Sequence, residues 1–114
     1  MRYQVRILAE CWNTFGDLGA ATRATRRKHA EAGATWPEDR VATVWIVRAT
    51  AANRALLARY PHIVDVAFPG SSRRWLRALT VGDVPPPDQP AILWYEAHGP
   101  SGRLTEHRRA RMTA

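Results

Sequence analysis

The run Val41-Ala42-Thr43-Val44-Trp45-Ile46-Val47 constrains this chain more than any other segment. It is almost wholly apolar and rich in β-branched residues, without the alternation of a half-exposed strand. A strand of that composition is covered on both faces, which calls for a parallel or mixed sheet with helices packed against it. An α/β fold is the expectation.

The flanking segments fill in that plan. Residues 3–11 alternate loosely and then turn apolar, as a first strand would. Thr14 with Asp17 three positions later fits a capping box, which puts a first helix at about residues 16–32, stopped by Gly33. Thr35 to Arg40 reads as a loop. Thr50 is a candidate N-cap for a second helix, Ala51 to Tyr60, ended by Pro61, with Leu56, Leu57 and Tyr60 as its buried edge. Ile63-Val64-Asp65-Val66-Ala67-Phe68 is read as a third strand. Ser71 or Ser72 caps a short third helix, Arg73 to Leu79. Val84 to Pro90 is a stiff proline-rich connector. Ala91 to Ala97 is a fourth strand, and the turn Gly99–Gly102 leads into a hairpin partner, Arg103 to His107.

The expected order is therefore β-α-β-α-β-α-β-β. It implies a single α/β domain over residues 1–107, with a mixed, mostly parallel sheet, a C-terminal hairpin and restriction-endonuclease-like or Rossmann-like layering. Residues 108–114 are expected to be a frayed basic tail. With 114 residues, 46% of them hydrophobic and 24% charged, such a domain can bury a core without disulfides or metal. Cys11 is the only cysteine, so no internal disulfide is available and a reducing, cytoplasmic setting is expected, with Cys11 as a buried structural thiol. No apolar run approaches the roughly 18–20 residues that span a bilayer, so no membrane partner is expected.

Charge is the strongest functional signal. Seventeen basic residues stand against ten acidic ones, net +7, with a pI near 11.0, and every basic residue except Lys28 is arginine. An excess of this size attracts polyanions, nucleic acid first. Arg23, Arg26 and Arg27 share one face of the first helix, extended by Lys28, and Arg73 or Arg74 lies one turn from Arg77 on the third. Such faces suit the tracking of DNA phosphates. The same spacings also suit solvated residues that complement a helix dipole. No helix-turn-helix pair frames either helix.

The corner after the first strand, Glu10 to Gly19, is where α/β domains often keep their sites. Glu10 is a candidate metal ligand or general base and Asp17 a second carboxylate. The alternative is that Asp17 caps the helix while Glu10 pairs with a neighbouring arginine. His29, His62, His98 and His107 are scattered, although His98 and His107 could face each other across the hairpin. No zinc set forms with one thiol. Trp45 and Trp94 read as core, and Trp12, Trp36 and Trp75 as core or rim packing that could alternatively stack on bases.

Three groups of residues carry a family resemblance: Trp12 to Ala21; Val44 to Thr50 with Asn53 to Pro61; and Phe68-Pro69-Gly70-Ser71-Ser72-Arg73 with the final strand, turn and Arg103-Leu104. Together they resemble the C-terminal domain of Xre-type helix-turn-helix regulators from GC-rich bacteria. They are similar, more distantly, to replication-relaxation proteins with a degenerate PD-(D/E)XK nuclease-like fold. The likeness spans about residues 4–107. It implies a non-catalytic DNA-associated or transcription-regulatory module, with DNA, a second copy or a helix-turn-helix protein as partner. Glu10 would occupy the acidic position of the ExK half of the nuclease signature, but Trp12 stands where the lysine belongs. The signature's preceding aspartate is expected on an upstream strand, and only Met1 to Gln4 precede this one. No resident cofactor is implied; magnesium enters only under the alternative of a weak metal-dependent nuclease. A further alternative is a protein-interaction or dimerisation domain whose charge is only solubilising.

Overall fold

The computed structural model describes residues 4–108. Four strands, β1 (Val5–Trp12), β2 (Arg40–Arg48), β3 (Ala91–His98) and β4 (Ser101–Glu106), form one sheet in the order β1-β2-β3-β4. β1 pairs with β2, and β2 with β3, in parallel; β4 returns antiparallel on β3. Four helices complete the domain: α1 (Leu18–Thr35), α2 (Ala51–Arg59), α3 (Pro61–Ala67) and α4 (Ser72–Thr80). The chain is thus a single α/β domain with a mixed sheet and a C-terminal hairpin. No helix among the described residues is long and apolar enough to cross a membrane.

β2 shows why its sequence is apolar on both sides. Trp45 and Val47, with Ile92 and Trp94 of β3, pack under Leu18 and Ala21 of α1, Leu57 of α2, and Val64 and Phe68 at α3. Ala42 and Val44, with Ala91 and Leu93, face the other way and receive Trp75 of α4, with Leu76, Leu79 and Leu104 around it. Since side chains alternate along a strand, α1, α2 and α3 lie on one face of the sheet and α4 on the other. A right-handed β-α-β connection repeated in one direction keeps its helices on one face. α4 breaks that pattern because it is a detour in the β2-to-β3 crossover.

The detour is pinned at its base. Gly70 N donates to Pro90 O at 2.8 Å, and a Cβ at Gly70 would run into the carbonyls of Gln89 and Pro90. Trp75, fully buried, donates its indole N–H to Gln89 O at 2.9 Å. Arg40 holds the proline-rich connector through Asp88 Oδ1 and Pro86 O, both at 2.7 Å.

The segment 63–68 corrects the expected third strand. Ile63, Val64, Ala67 and Phe68 pack on the α1-side core, whereas Asp65 and Val66 are exposed. That is helical spacing, and Pro61, which stops α2, also starts α3 at its first turn. β-branched content misled because a seven-residue helix gives too little sequence for its period to outweigh propensity. The observed order is β-α-β-α-α-α-β-β.

Boundaries shift for local reasons. Asp17, not Thr14, is the N-cap of α1, accepting from Ala20 N at 3.0 Å. Gly33 stays inside α1, which ends at Thr35 ahead of Trp36-Pro37, where the residue before proline leaves the helical region. Thr50 caps α2 as expected; of the two candidate serines Ser71 caps α4, and Ser72 is its first residue. Of the expected α2 edge, Leu57 is buried and Leu56 half-buried, but Tyr60 is exposed. Gly99, at φ 54, opens the two-residue turn of the hairpin. His98 therefore pairs with Ser101 at the turn, while His107 meets the Trp94 ring beyond the far end of β4, so these histidines do not face each other. Cys11 is exposed rather than buried. Arg108 lies beside Glu106 at 3.5 Å; the rest of the expected tail lies outside the described residues.

Val64 and Val66 would share a face in a strand but are 4% and 68% exposed in α3. Val64→Ala should cost about 2 kcal/mol in urea denaturation and Val66→Ala less than about 0.5 kcal/mol. Equal losses at the two positions would argue for a strand instead.

Candidate functional site

The corner after β1 is built for packing. Trp12 and Phe15 stack at 5.0 Å, Phe15 stacks on Trp45 at 5.3 Å, and Trp45 meets Phe68 at 4.5 Å. Asn53, buried at the start of α2, donates to Asn13 O at 2.8 Å and Arg48 O at 2.9 Å, which ties the corner to the end of β2. Asp17 is occupied as a helix cap. Glu10 turns toward α1, where Lys28 Nζ lies 3.4 Å from its Oε2; its Oε1 is buried without a hydrogen-bond partner among the described residues.

Two geometric reasons weaken this corner as an active site. Sites in open α/β sheets favour the point where strand order reverses, and the order β1-β2-β3-β4 never reverses. Nor do the carboxylates gather: among the described residues no three His, Cys, Asp or Glu side chains come together as a cation would require.

The two arginine faces also fare differently. Arg23, Arg26 and Arg27 lie along α1 with no acidic partner among the described residues. Lys28 is committed to Glu10. On α4, Arg73 and Arg74 are exposed and have no acidic partner among the described residues, but Arg77 is clamped by Asp83, with Nε 2.9 Å from Oδ1 and a second contact from Nη2 to Oδ2. The hydrogen bond and charge of Arg77 hold the Asp83 carboxyl below its usual range, and Asp83 raises the guanidinium in return. Because α1 and α4 cover opposite sides of the sheet, the two sets look in opposite directions and form no single surface.

A further cavity, of about 310 Å³, opens between α1, β2 and the segments before β3. Its polar lining comes from Thr22, Thr25, Arg26 and His29 of α1, from Thr43 of β2, and from Asp88 and Gln89 of the connector. Thr22, Thr25 and Thr43 are 8%, 6% and 1% exposed. Thr25 Oγ1 donates to Ala21 O at 3.1 Å and accepts the Trp45 indole N–H at 2.9 Å, while His29 Nδ1 lies 2.7 Å from Thr43 Oγ1. Sequence reasoning passed over this group. The available signal was a polar residue inside the otherwise apolar run 41–47, and threonines at i and i+3 on the same stripe as Leu18, Ala21 and Ala32.

Comparison with known proteins finds no matching family model, no matching curated protein and no matching solved structure.

Thr25→Val keeps the shape of the side chain but removes the acceptor of a fully buried indole N–H. The expected loss is about 1–3 kcal/mol of unfolding free energy, largely restored in Thr25→Ser, as read by urea denaturation. A neutral Thr25→Val would show that the Trp45 bond contributes nothing.

Proposed function

We propose that this domain is a non-catalytic, DNA-associated regulatory module that holds nucleic-acid phosphates against α1. One observation carries the reading: Arg23, Arg26 and Arg27 have no acidic partner among the described residues, while Glu10, Asp39, Asp83, Asp88, Glu96 and Glu106 are each spent on another base. Guanidinium groups without an internal counter-charge are free to replace the counterions of a phosphate backbone, and the net charge of +7 draws that backbone in. Arg73 and Arg74 lie on the opposite face, out of reach of a duplex held on α1. The reading agrees with the resemblance to helix-turn-helix-associated domains. Contacts of this type position a protein on DNA but read little sequence. A weak nuclease built on Glu10 and Asp17 is disfavoured, since one carboxylate is paired with Lys28 and the other caps a helix.

The second reading, self-association, rests on β1. It is an edge strand of eight residues whose outward row, Val5, Ile7, Ala9 and Cys11, is exposed because α4 covers β3 and β4 instead. The row leads past Ile46 and Tyr95 into a groove of about 790 Å³. An edge without proline, bulge or lysine is open to pairing, and two copies joined antiparallel at β1 would form one continuous sheet from the two four-stranded ones.

Both readings have direct tests. For duplex DNA, Arg23→Gln/Arg26→Gln/Arg27→Gln should flatten the dependence of log K on log salt by about 0.9 for each phosphate no longer neutralised, while Arg73→Gln/Arg74→Gln leaves the slope nearly unchanged. Wild-type affinity insensitive to salt would sink the phosphate reading. Sedimentation equilibrium should show a dimer that Ile7→Lys converts to monomer; a wild-type monomer at high micromolar concentration would dispose of the β1 interface.

A further inference from the structure

We infer that the cavity beside α1 binds a small organic anion, a carboxylate or a phosphate monoester carrying an aromatic or branched apolar body. This site is separate from the nucleic-acid surface, although Arg26 belongs to both.

The lining of the cavity is costly for a small core. A helix that only seals a core carries apolar side chains on its inner stripe. α1 instead places Thr22, Thr25 and His29 there, above Thr43 at the centre of the most apolar strand. Buried polar groups of this kind are the informative exception.

The hydrogen bonds of these groups leave two donors over. The Thr22 hydroxyl donates to Gly19 O at 2.8 Å, and that of Thr25 to Ala21 O while accepting from Trp45. The Thr43 hydroxyl, 1% exposed, meets His29 Nδ1 at 2.7 Å. Where the Thr43 hydroxyl donates this bond, Nδ1 accepts and Nε2 is the ring nitrogen left to donate. That Nε2–H has no hydrogen-bond partner among the described residues, and Arg26, one turn earlier on α1, brings a guanidinium with no acidic partner there. Asp88 at the rim is engaged by Arg40 at 2.7 Å. The strong donors that remain are Arg26 and His29, and what they lack is a negatively charged acceptor.

The opposite wall is mainly apolar. Val66, Phe68, Pro69 and Pro90 make most of it, with Gln89 and the Arg40-bound Asp88 as its polar members. A volume of about 310 Å³ lies at the small end of the range for small-molecule sites. The anionic head meets Arg26 and His29, and the body lies against Phe68 and the prolines. Thr43, which also lines the cavity, is a positioning residue that holds the ring through Nδ1.

The test is calorimetric titration of the full chain with phenyl phosphate and with benzoate, alongside benzyl alcohol and inorganic phosphate, with NMR of the His29 imidazole as a site-specific readout. One or both organic anions should saturate at one per chain and shift the imidazole signals; which one binds separates a phosphate monoester from a carboxylate. Arg26→Gln and His29→Ala should each weaken binding about tenfold, the scale of one charge-assisted hydrogen bond. Arg23→Gln/Arg27→Gln should leave it within about twofold, so loss of DNA binding and loss of this site can be told apart. Thr43→Val should alter the imidazole tautomer signals even without ligand. Arg26→Gln removes no core side chain, so it tests the site even if His29→Ala unfolds. The inference is overturned if neither anion saturates, if benzyl alcohol or inorganic phosphate binds as tightly as the organic anions, or if Arg26→Gln changes nothing.

Discussion

Trp45 is the contact on which the architecture depends. It is fully buried at the centre of β2, ringed by Trp12, Phe15 and Phe68, with its indole N–H held by Thr25. Those partners come from β1, the following turn, the end of α3, and α1. One side chain thus joins the first half of the chain to the β2-to-β3 crossover. Burying so large an apolar surface is among the greatest single stabilising contributions available to a domain of this size. It also forces a polar atom inside, and Thr25 is the consequence. The polar lining of the adjoining cavity begins with that obligation.

The detour through α4 sets the distribution of charge. Had the crossover stayed on one side, both arginine-bearing helices would have shared a surface. Trp75 instead seats α4 on the opposite side, with Gly70, Pro90 and the connector held together at its base. Four acidic side chains then serve to fasten connections. Asp39 holds Arg6, Asp88 holds Arg40, Asp83 holds Arg77, and Glu96 bridges Arg54 and Arg103. The arginines of α1 are left without such a partner among the described residues. The same detour leaves the outer face of β1 bare, because α4 can cover only the far side of a four-stranded sheet.

The opening corner shows how position and chemistry separate. Glu10 stands at the end of a parallel strand, where α/β sites often lie, yet it answers Lys28 across to α1. The cavity lies beside Thr43, two residues before Glu10's register partner Trp45, and Pro90 just ahead of β3. Nothing in the local sequence of Thr22, Thr25 or His29 marks them, because each is ordinary for an exposed helix. Only the burial of the two threonines and the half-burial of His29 make them unusual.

The sequence by itself determined that β2 is covered on both faces, that Thr50 caps α2 and one of Ser71 and Ser72 caps α4, and that β3 and β4 form a hairpin. These follow from burial pattern, capping chemistry and turn residues, all of which act over a few neighbouring positions. It did not reveal that Ile63 to Phe68 is helical, since β-branched residues favour strands until a core selects one face of a helix. Nor did it reveal that α4 crosses to the second layer, because the stripe Trp75, Leu76, Leu79 demands a surface without saying which. The meeting of Arg26, His29 and Thr43 is likewise a product of tertiary structure. Their proximity depends on how α1 lies across β2, and that angle is decided by packing around Trp45 rather than by any local preference.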